Sequence, residues 1–161
     1  MLLPQTGAQH AVTTTQFFVM PMALASPEPA FPAAADNAGA VEVVVCSEIW
    51  LSEDGDITRV APVEAAPDCA SGADARTQAF AQAVAAALQR WEFTPAMICE
   101  FPPQSVDKRE RGDCTGPEVT VRRVPVRLDY AFTFSSRNGR KQVDISRKPR
   151  KDDTSADPAA R

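Results

Sequence analysis

Histidine is almost absent from this sequence: the only one among 161 residues is His10, near the start of the chain. Histidine is the usual proton shuttle and the usual activator of a nucleophilic side chain. The sequence also lacks a glycine-rich loop that could cradle a phosphate, and a basic surface interleaved with aromatic residues that could stack nucleic-acid bases. We therefore expect a protein that is not an enzyme, with no catalytic residue, no cofactor and no nucleic-acid partner.

Lysine and arginine are absent before Arg59. Residues 17–24 form a short apolar stretch, and Ala23-Leu24-Ala25 has the small-x-small form of a signal-peptidase site, but the basic region that should precede it is missing. Residues 1–25 are therefore expected to be a degenerate signal peptide or a disordered leader, and whether Met1 is the true start stays open. Polar residues interrupt every apolar run well short of the roughly 20 residues that span a bilayer, so we expect no transmembrane anchor.

The cysteines include no Cys-x-x-Cys pair, which argues against a thioredoxin-like redox site and a zinc ribbon, and we expect no metal site. An even number favours two disulfides, which allow three pairings that the sequence does not distinguish. If neighbours in the sequence pair, each bridge would contribute about 3 kcal/mol. The alternative is reduced thiols buried as small apolar residues. The disulfide candidates are Cys46, Cys69, Cys99 and Cys114.

Composition divides the rest of the chain into three segments. Residues 26–40 are rich in proline and alanine, which favours an extended linker. Residues 41–134 hold most of the large apolar side chains and are expected to form one domain. Residues 135–161 are polar and aperiodic, with seven basic residues from Arg137 to Lys151 against the single acid Asp144, so we expect a locally basic, disordered tail.

Within the domain, the apolar pattern predicts strands on both sides of a helix. Apolar residues alternate along residues 41–51, and Asp54-Gly55 indicates a hairpin turn after them. In the return strand, the apolar residues Ile57 and Val60 are three apart, and this odd spacing predicts a β-bulge. Residues 74–91 have helical spacing, residues 99–118 are expected to be an inserted loop, and residues 124–134 alternate most clearly of all. We predict an α+β fold: a small antiparallel sheet in β-β-α-β-β order with one helix packed on one face.

Two phrases in this pattern resemble a known family. One is the turn at Asp54-Gly55 and the strand that follows it; the other is the end of the helix, from Trp91 to Ala96. With the closing strand they resemble the C-terminal domain of the TonB family, a small periplasmic module that couples protein to protein, over a little over half the chain. The insertion 99–118 departs from that family, as does the lack of a recognisable membrane helix and long proline-rich spacer. The residues that carry the resemblance are expected to have structural roles: Asp54, Gly55, Trp91, Phe93 and Pro95.

The resemblance implies a periplasmic protein-binding module that engages a partner by β-strand addition. Such a module would be an accessory component of an energy transducer, or part of one. The partner would be an envelope protein, such as an outer-membrane receptor or another transport component. The candidate contacts on the outward face of the last strand are Arg123, Arg127 and Asp129, although Pro125 removes one backbone donor there. Which edge of the sheet is open, and whether the chain forms a homodimer by strand exchange, are not decided by the sequence.

A second hypothesis uses the same fold only as a scaffold. The chain would then be a structural or assembly component of the cell envelope, with its contacts made by the insertion 99–118 and by the basic tail. Fold alone does not separate these hypotheses, because one fold can carry many functions.

Overall fold

The computed structural model describes residues 12–33, 41–63, 68–69 and 75–148. All strand pairs in these ranges are antiparallel, so the chain is α+β as predicted. The strands are β1 (Gln16–Val19), β2 (Ala23–Ala25), β3 (Val41–Leu51), β4 (Ile57–Pro62), β5 (Glu92–Phe93), β6 (Ala96–Glu100), β7 (Thr120–Val124), β8 (Val126–Arg137) and β9 (Arg140–Lys148); the helices are α1 (Ala75–Leu88) and α2 (Val106–Glu110).

The main sheet has four strands in the order β4-β3-β8-β9. Strands β3 and β8 pair along the whole of β3, with Val43 opposite Phe134 and Ile49 opposite Leu128. Because side chains alternate between the two faces of a strand, this register places the apolar residues of both strands on one buried face. The bulge expected in the β3–β4 hairpin is present, as a register shift between Trp50 and Leu51.

Helix α1 covers the apolar face of this sheet. Its residues Phe80, Val84 and Leu88 are buried and recur every four residues, as expected for one face of a helix. The ring of Phe80 lies edge-on to that of Phe134, with 4.8 Å between the ring centroids. Such aromatic pairs add about 1 kcal/mol to the stabilisation from buried area. The described residues nevertheless hold two helices and three sheets, whereas the sequence predicts one helix and one sheet in β-β-α-β-β order.

The first correction concerns the leader and the linker, because residues 16–31 contribute to the core. Strand β1 pairs with β6, and Phe18, which is 4 % exposed, lies opposite Ile98. The Trp91 indole N–H donates to the Pro27 carbonyl at 2.9 Å, and Phe31 packs edge-on against Phe80 and Phe134. A short apolar run fits both a signal peptide and a strand, and its periodicity does not separate the two.

The second correction concerns the predicted disordered tail, much of which is strand β9. Asn138 and Gly139 have φ values of 54° and 77° and form a tight turn, so the chain reverses and pairs with β8. Asn-Gly is a strong hairpin signal, and it was the missed clue in a segment that is otherwise polar. Val143 and Ile145 pack against the core, while residues 149–161 lie outside the described ranges.

The insertion is more ordered than a loop and is held by a disulfide. It contains α2 and links Cys99 of β6 to Cys114; the second bridge joins Cys46 of β3 to Cys69. No free cysteine occurs among the described residues. The structure therefore selects the pairing of sequence neighbours. Neither helix within these ranges is long and apolar enough to cross a bilayer.

Candidate partner-binding edge

Strand β8, on which the sequence analysis places two candidate contacts, is an inner strand from Asp129 onward. Asp129 has Glu48 of β3 as its neighbour on one side and Lys148 of β9 on the other. The main-chain donors and acceptors of that stretch are taken up by its two neighbours. A partner strand therefore has no free edge there unless β9 is displaced.

Arg127 lies on the face of the main sheet opposite α1, next to Trp50. Its guanidinium carbon is 5.6 Å from the centroid of the Trp50 ring, and that of Arg59 is 4.5 Å from the same ring. Arg127 is also 3.8 Å from a carboxylate oxygen of Glu48, and its buried Nε has no hydrogen-bond acceptor among the described residues. Cation–π contacts of this kind contribute about 0.5–1 kcal/mol each at exposed sites. The Trp50 ring of β3 is thus contacted by Arg127 of β8 and by Arg59 of β4.

Arg123 lies on β7, in the separate sheet β1-β6-β7. Its guanidinium is 3.2 Å from a carboxylate oxygen of Asp54, in the turn between β3 and β4. Both side chains are largely exposed, so the pair is worth little energy but it orients the turn toward β7. Arg123 therefore lies in a different sheet from Arg127 and Asp129, which lie two residues apart on one face of β8.

The two phrases that carry the family resemblance do meet. Gly55 has a φ of +89°, and a Cβ added to it would lie 2.6 Å from the carbonyl oxygen of Phe93 and 3.2 Å from the backbone nitrogen of Pro95. Only glycine accepts that φ and that approach without strain. Gly55, Phe93 and Pro95 hence join the hairpin turn to the segment after α1.

The insertion is held mainly by contacts of its own. Lys108 donates to Glu118 at 2.6 Å, and this hydrogen bond lowers the pKa of Glu118 below its ordinary value. The Thr115 hydroxyl donates to Asp113 and lowers the pKa of that carboxyl in the same way. Gly112 sits against the ring of Phe17, so the insertion also covers β1. Two ion pairs, Lys108–Glu118 and Arg111–Asp113, thus lie within the insertion.

The edge of the main sheet formed by β4 is open among the described residues. The Val63 N–H donates to the Cys46 carbonyl at 2.9 Å. This bond shows which residues of β4 direct their backbone N–H and C=O groups toward β3. Because hydrogen-bonded residues alternate along an antiparallel pair, Ala61 directs its backbone groups toward β3, and Val60 and Pro62 direct theirs away. Val60 therefore presents both a donor and an acceptor to a partner, and Pro62 presents only an acceptor.

A groove runs beside this open edge, between β4 and α1. Its volume is about 540 Å³, within the range of about 300–1,000 Å³ that is typical of ligand pockets. Three glutamines face it together with small and branched apolar residues. Helix α1 and the residue after it contribute Gln78, Ala81, Gln82, Ala85 and Gln89, and the sheet contributes Val45, Ser47, Ile57, Thr58, Arg59, Val60 and Pro62.

Sequence reasoning missed this groove for a physical reason. Helical periodicity shows which side of α1 is polar, but not that the edge of β4 lies next to that side. The one available signal was the spacing of Gln78, Gln82 and Gln89, which recur on one side of the helix.

Comparison with protein-family models, with curated proteins and with solved structures finds no match to this chain. The resemblance to the TonB C-terminal domain thus rests on the residues named above.

Proposed function

We propose that this protein is a TonB-like peptide-binding module that captures an extended segment of an envelope protein by strand addition at β4. The observation that carries the proposal is the outward-facing backbone of Val60 beside an apolar groove of about 540 Å³. A strand added there gains main-chain hydrogen bonds from β4, while its alternate side chains enter the groove against α1. Strand and helix together thus supply both affinity and specificity.

The hydrogen bonds and the apolar contacts available at β4 are consistent with modest, reversible binding of a peptide. Each main-chain hydrogen bond contributes about 0.5–1.5 kcal/mol net, and β4 offers only a few because Pro62 lacks a donor. Apolar contacts in the groove must supply the rest, at roughly 25 cal/mol per Å² buried. Val60, Ile57 and Ala81 already pack at the margin of the core, so their exposed surfaces are held in position before a partner arrives.

The periplasm is part of the proposal. The disulfides Cys46–Cys69 and Cys99–Cys114 favour an oxidising compartment, because thiols are kept reduced in the cytosol. A periplasmic module of this kind meets the exposed segments of outer-membrane receptors and of other transport components, which are the partners that the resemblance implies.

The test is selection of a phage-displayed library of random dodecapeptides on the oxidised full-length chain, followed by affinity measurement with the selected peptides. Ala85→Trp fills the groove, and Ala86→Trp, at an exposed neighbour that does not line it, is the matched control. Val60→Pro removes the outward donor, and Val60→Ala keeps it. We expect Ala85→Trp and Val60→Pro to weaken binding at least tenfold relative to their controls.

Three results would overturn the proposal. They are the absence of any enriched peptide, equal loss of binding in Ala85→Trp and Ala86→Trp, and binding that is unchanged in both Ala85→Trp and Val60→Pro. Circular dichroism and urea unfolding of each variant separate a blocked groove from a damaged fold. Selected peptides that bind through α2 instead would favour the scaffold hypothesis.

A further inference from the structure

The β4–α1 groove continues past Ile57 and Gln89 into a second cavity of about 510 Å³. Both residues line both cavities, so the two adjoin, and together they are called the path along the edge of the sheet. The second cavity is bounded by the hairpin turn, by β2 and by the segment after α1. Its lining comprises Leu24, Gly55, Asp56, Ile57, Gln89, Trp91, Glu92 and Phe93.

The charge of the path changes at this end. The charged residue that lines the groove is Arg59, but its guanidinium lies over the Trp50 ring on the opposite face of the sheet, whereas the second cavity is lined by Asp56 and Glu92, both exposed. Neither carboxylate has an ion-pair partner within the described part of the chain. Asp54 is different, because Arg123 already lies 3.2 Å from it. The unpaired negative charge is therefore concentrated at Asp56 and Glu92.

Large apolar side chains are exposed beside these carboxylates. Leu24 lines the cavity and is 67 % exposed, and Met22, two residues earlier, is 68 % exposed. Exposed apolar side chains next to a polar rim are typical of interaction sites. The cavity thus combines negative charge with an apolar wall, which complements a cationic side chain beside an apolar one.

Resting on the proposed function, we infer that the segment captured at β4 carries a lysine or arginine adjacent to a large apolar residue. The basic residue lies against Asp56 and Glu92, and the apolar residue contacts Leu24. Asp56 precedes Val60 by four residues, but the bulge adds one of them, because Val60 lies opposite Ile49 and Asp56 is hydrogen-bonded to Ser52. The basic residue therefore lies roughly three positions from the one that pairs with Val60. The intervening residues lie in the groove, whose helix side carries glutamine and alanine.

The probes are the dodecapeptides selected above, each with a second version in which its lysine or arginine is replaced by glutamine. We expect basic residues to be enriched during selection. The replacement should weaken binding about tenfold to the wild-type chain and less than twofold to the Asp56→Asn/Glu92→Gln double variant. Glu110→Gln, at an exposed acid of α2, is the matched control and should preserve the tenfold difference. Leu24→Ser should weaken binding of both peptide versions.

The outcomes for this inference and for the proposed function are separable. Peptides that depend on Val60 and Ala85 but have no basic preference would overturn the inference and leave strand addition standing. A basic preference that persists in the Asp56→Asn/Glu92→Gln variant would also overturn it. If Ala85→Trp and Val60→Pro leave binding unchanged, strand addition at β4 fails, and the inference fails with it.

Discussion

Gly55 lies directly against the carbonyl oxygen of Phe93, where an added Cβ would be only 2.6 Å from that oxygen. This approach joins the hairpin turn to the segment that follows α1. It also shapes the second cavity, which both residues line. The contact links the two phrases physically, because the turn glycine packs against the backbone of the Phe93-Thr94-Pro95 segment.

Replacing Gly55 with alanine should therefore lower the free energy of unfolding more than the same replacement at another turn glycine. Gly139 has a φ of +77° but open space around it, so Gly139→Ala should lower the free energy of unfolding by about 1 kcal/mol from backbone strain alone. Gly55→Ala adds a clash with backbone atoms, and overpacking typically costs a further 1–3 kcal/mol, roughly. Urea unfolding of the two variants measures the difference. Equal losses would contradict the close approach.

The N-terminal segment should contribute to stability rather than act as a removable leader. Phe18 is buried between β6 and the core, so Phe18→Ala should lower the free energy of unfolding by about 3–5 kcal/mol. Leu24→Ala is the control, because Leu24 is mostly exposed and should change stability by no more than about 0.5 kcal/mol. A Phe18→Ala variant as stable as Leu24→Ala would show that β1 is not part of the fold. Mass spectrometry of the mature chain provides an independent check.

Each disulfide should stabilise the fold by constraining the unfolded chain. The bridges span 23 and 15 residues, and loops of this size correspond to about 3 kcal/mol in the chain-entropy model. We expect the paired variants Cys46→Ala/Cys69→Ala and Cys99→Ala/Cys114→Ala to lose about that much in urea unfolding. A phosphine reductant should lower the stability of the wild-type chain and leave the variant without all four cysteines unchanged. A wild-type chain insensitive to reductant would contradict both bridges.

Alkaline pH should destabilise the protein through Tyr130, its only tyrosine. Burial raises the pKa of this phenol above its ordinary value of 10.0, and the positive charge of Arg147 partly offsets the shift. The folded state then holds its proton after the unfolded state has released it. The stabilisation is thus complete below pH 10.0 and is lost as pH rises from there through the folded-state pKa.

The absorbance of tyrosinate near 295 nm measures this directly, because no other tyrosine contributes. The midpoint should be higher in the folded chain than in the urea-unfolded chain, and Arg147→Gln should raise it further. Tyr130→Phe should flatten the fall of stability above pH 10.0. Identical midpoints in the folded and unfolded chains would show that the phenol is not buried.

The spacing of apolar residues in the sequence predicted β3, β8 and α1, each of which buries one face along its length. The alternation of β3 and β8 and the spacing of Phe80, Val84 and Leu88 each repeat over several residues, so the periodicity is unambiguous. Strands β1 and β2 are too short for that. Strand β9 buries little beyond Val143 and Ile145, so its composition is that of a solvated segment.

The candidate site was harder to predict, because it depends on which strands are neighbours. The outward residues of the last predicted strand are identifiable from alternation, but β9 closes that edge from Asp129 onward. The β4 edge is open because no other described strand pairs with its outer side. The pairing of β9 is a local hairpin that the Asn138-Gly139 turn indicates, whereas the open edge of β4 depends on the pairing of segments that are far apart in the chain.

By itself, the sequence determined the fold class, the buried faces of the long elements and the glycine turn, because those depend on side-chain periodicity and on local backbone conformation. Tertiary structure decided the disulfide pairing, the incorporation of residues 16–31 into the core and the place of β4 as an edge strand of the main sheet. Those outcomes depend on distances between remote segments, and a single sequence does not encode such distances in any local pattern.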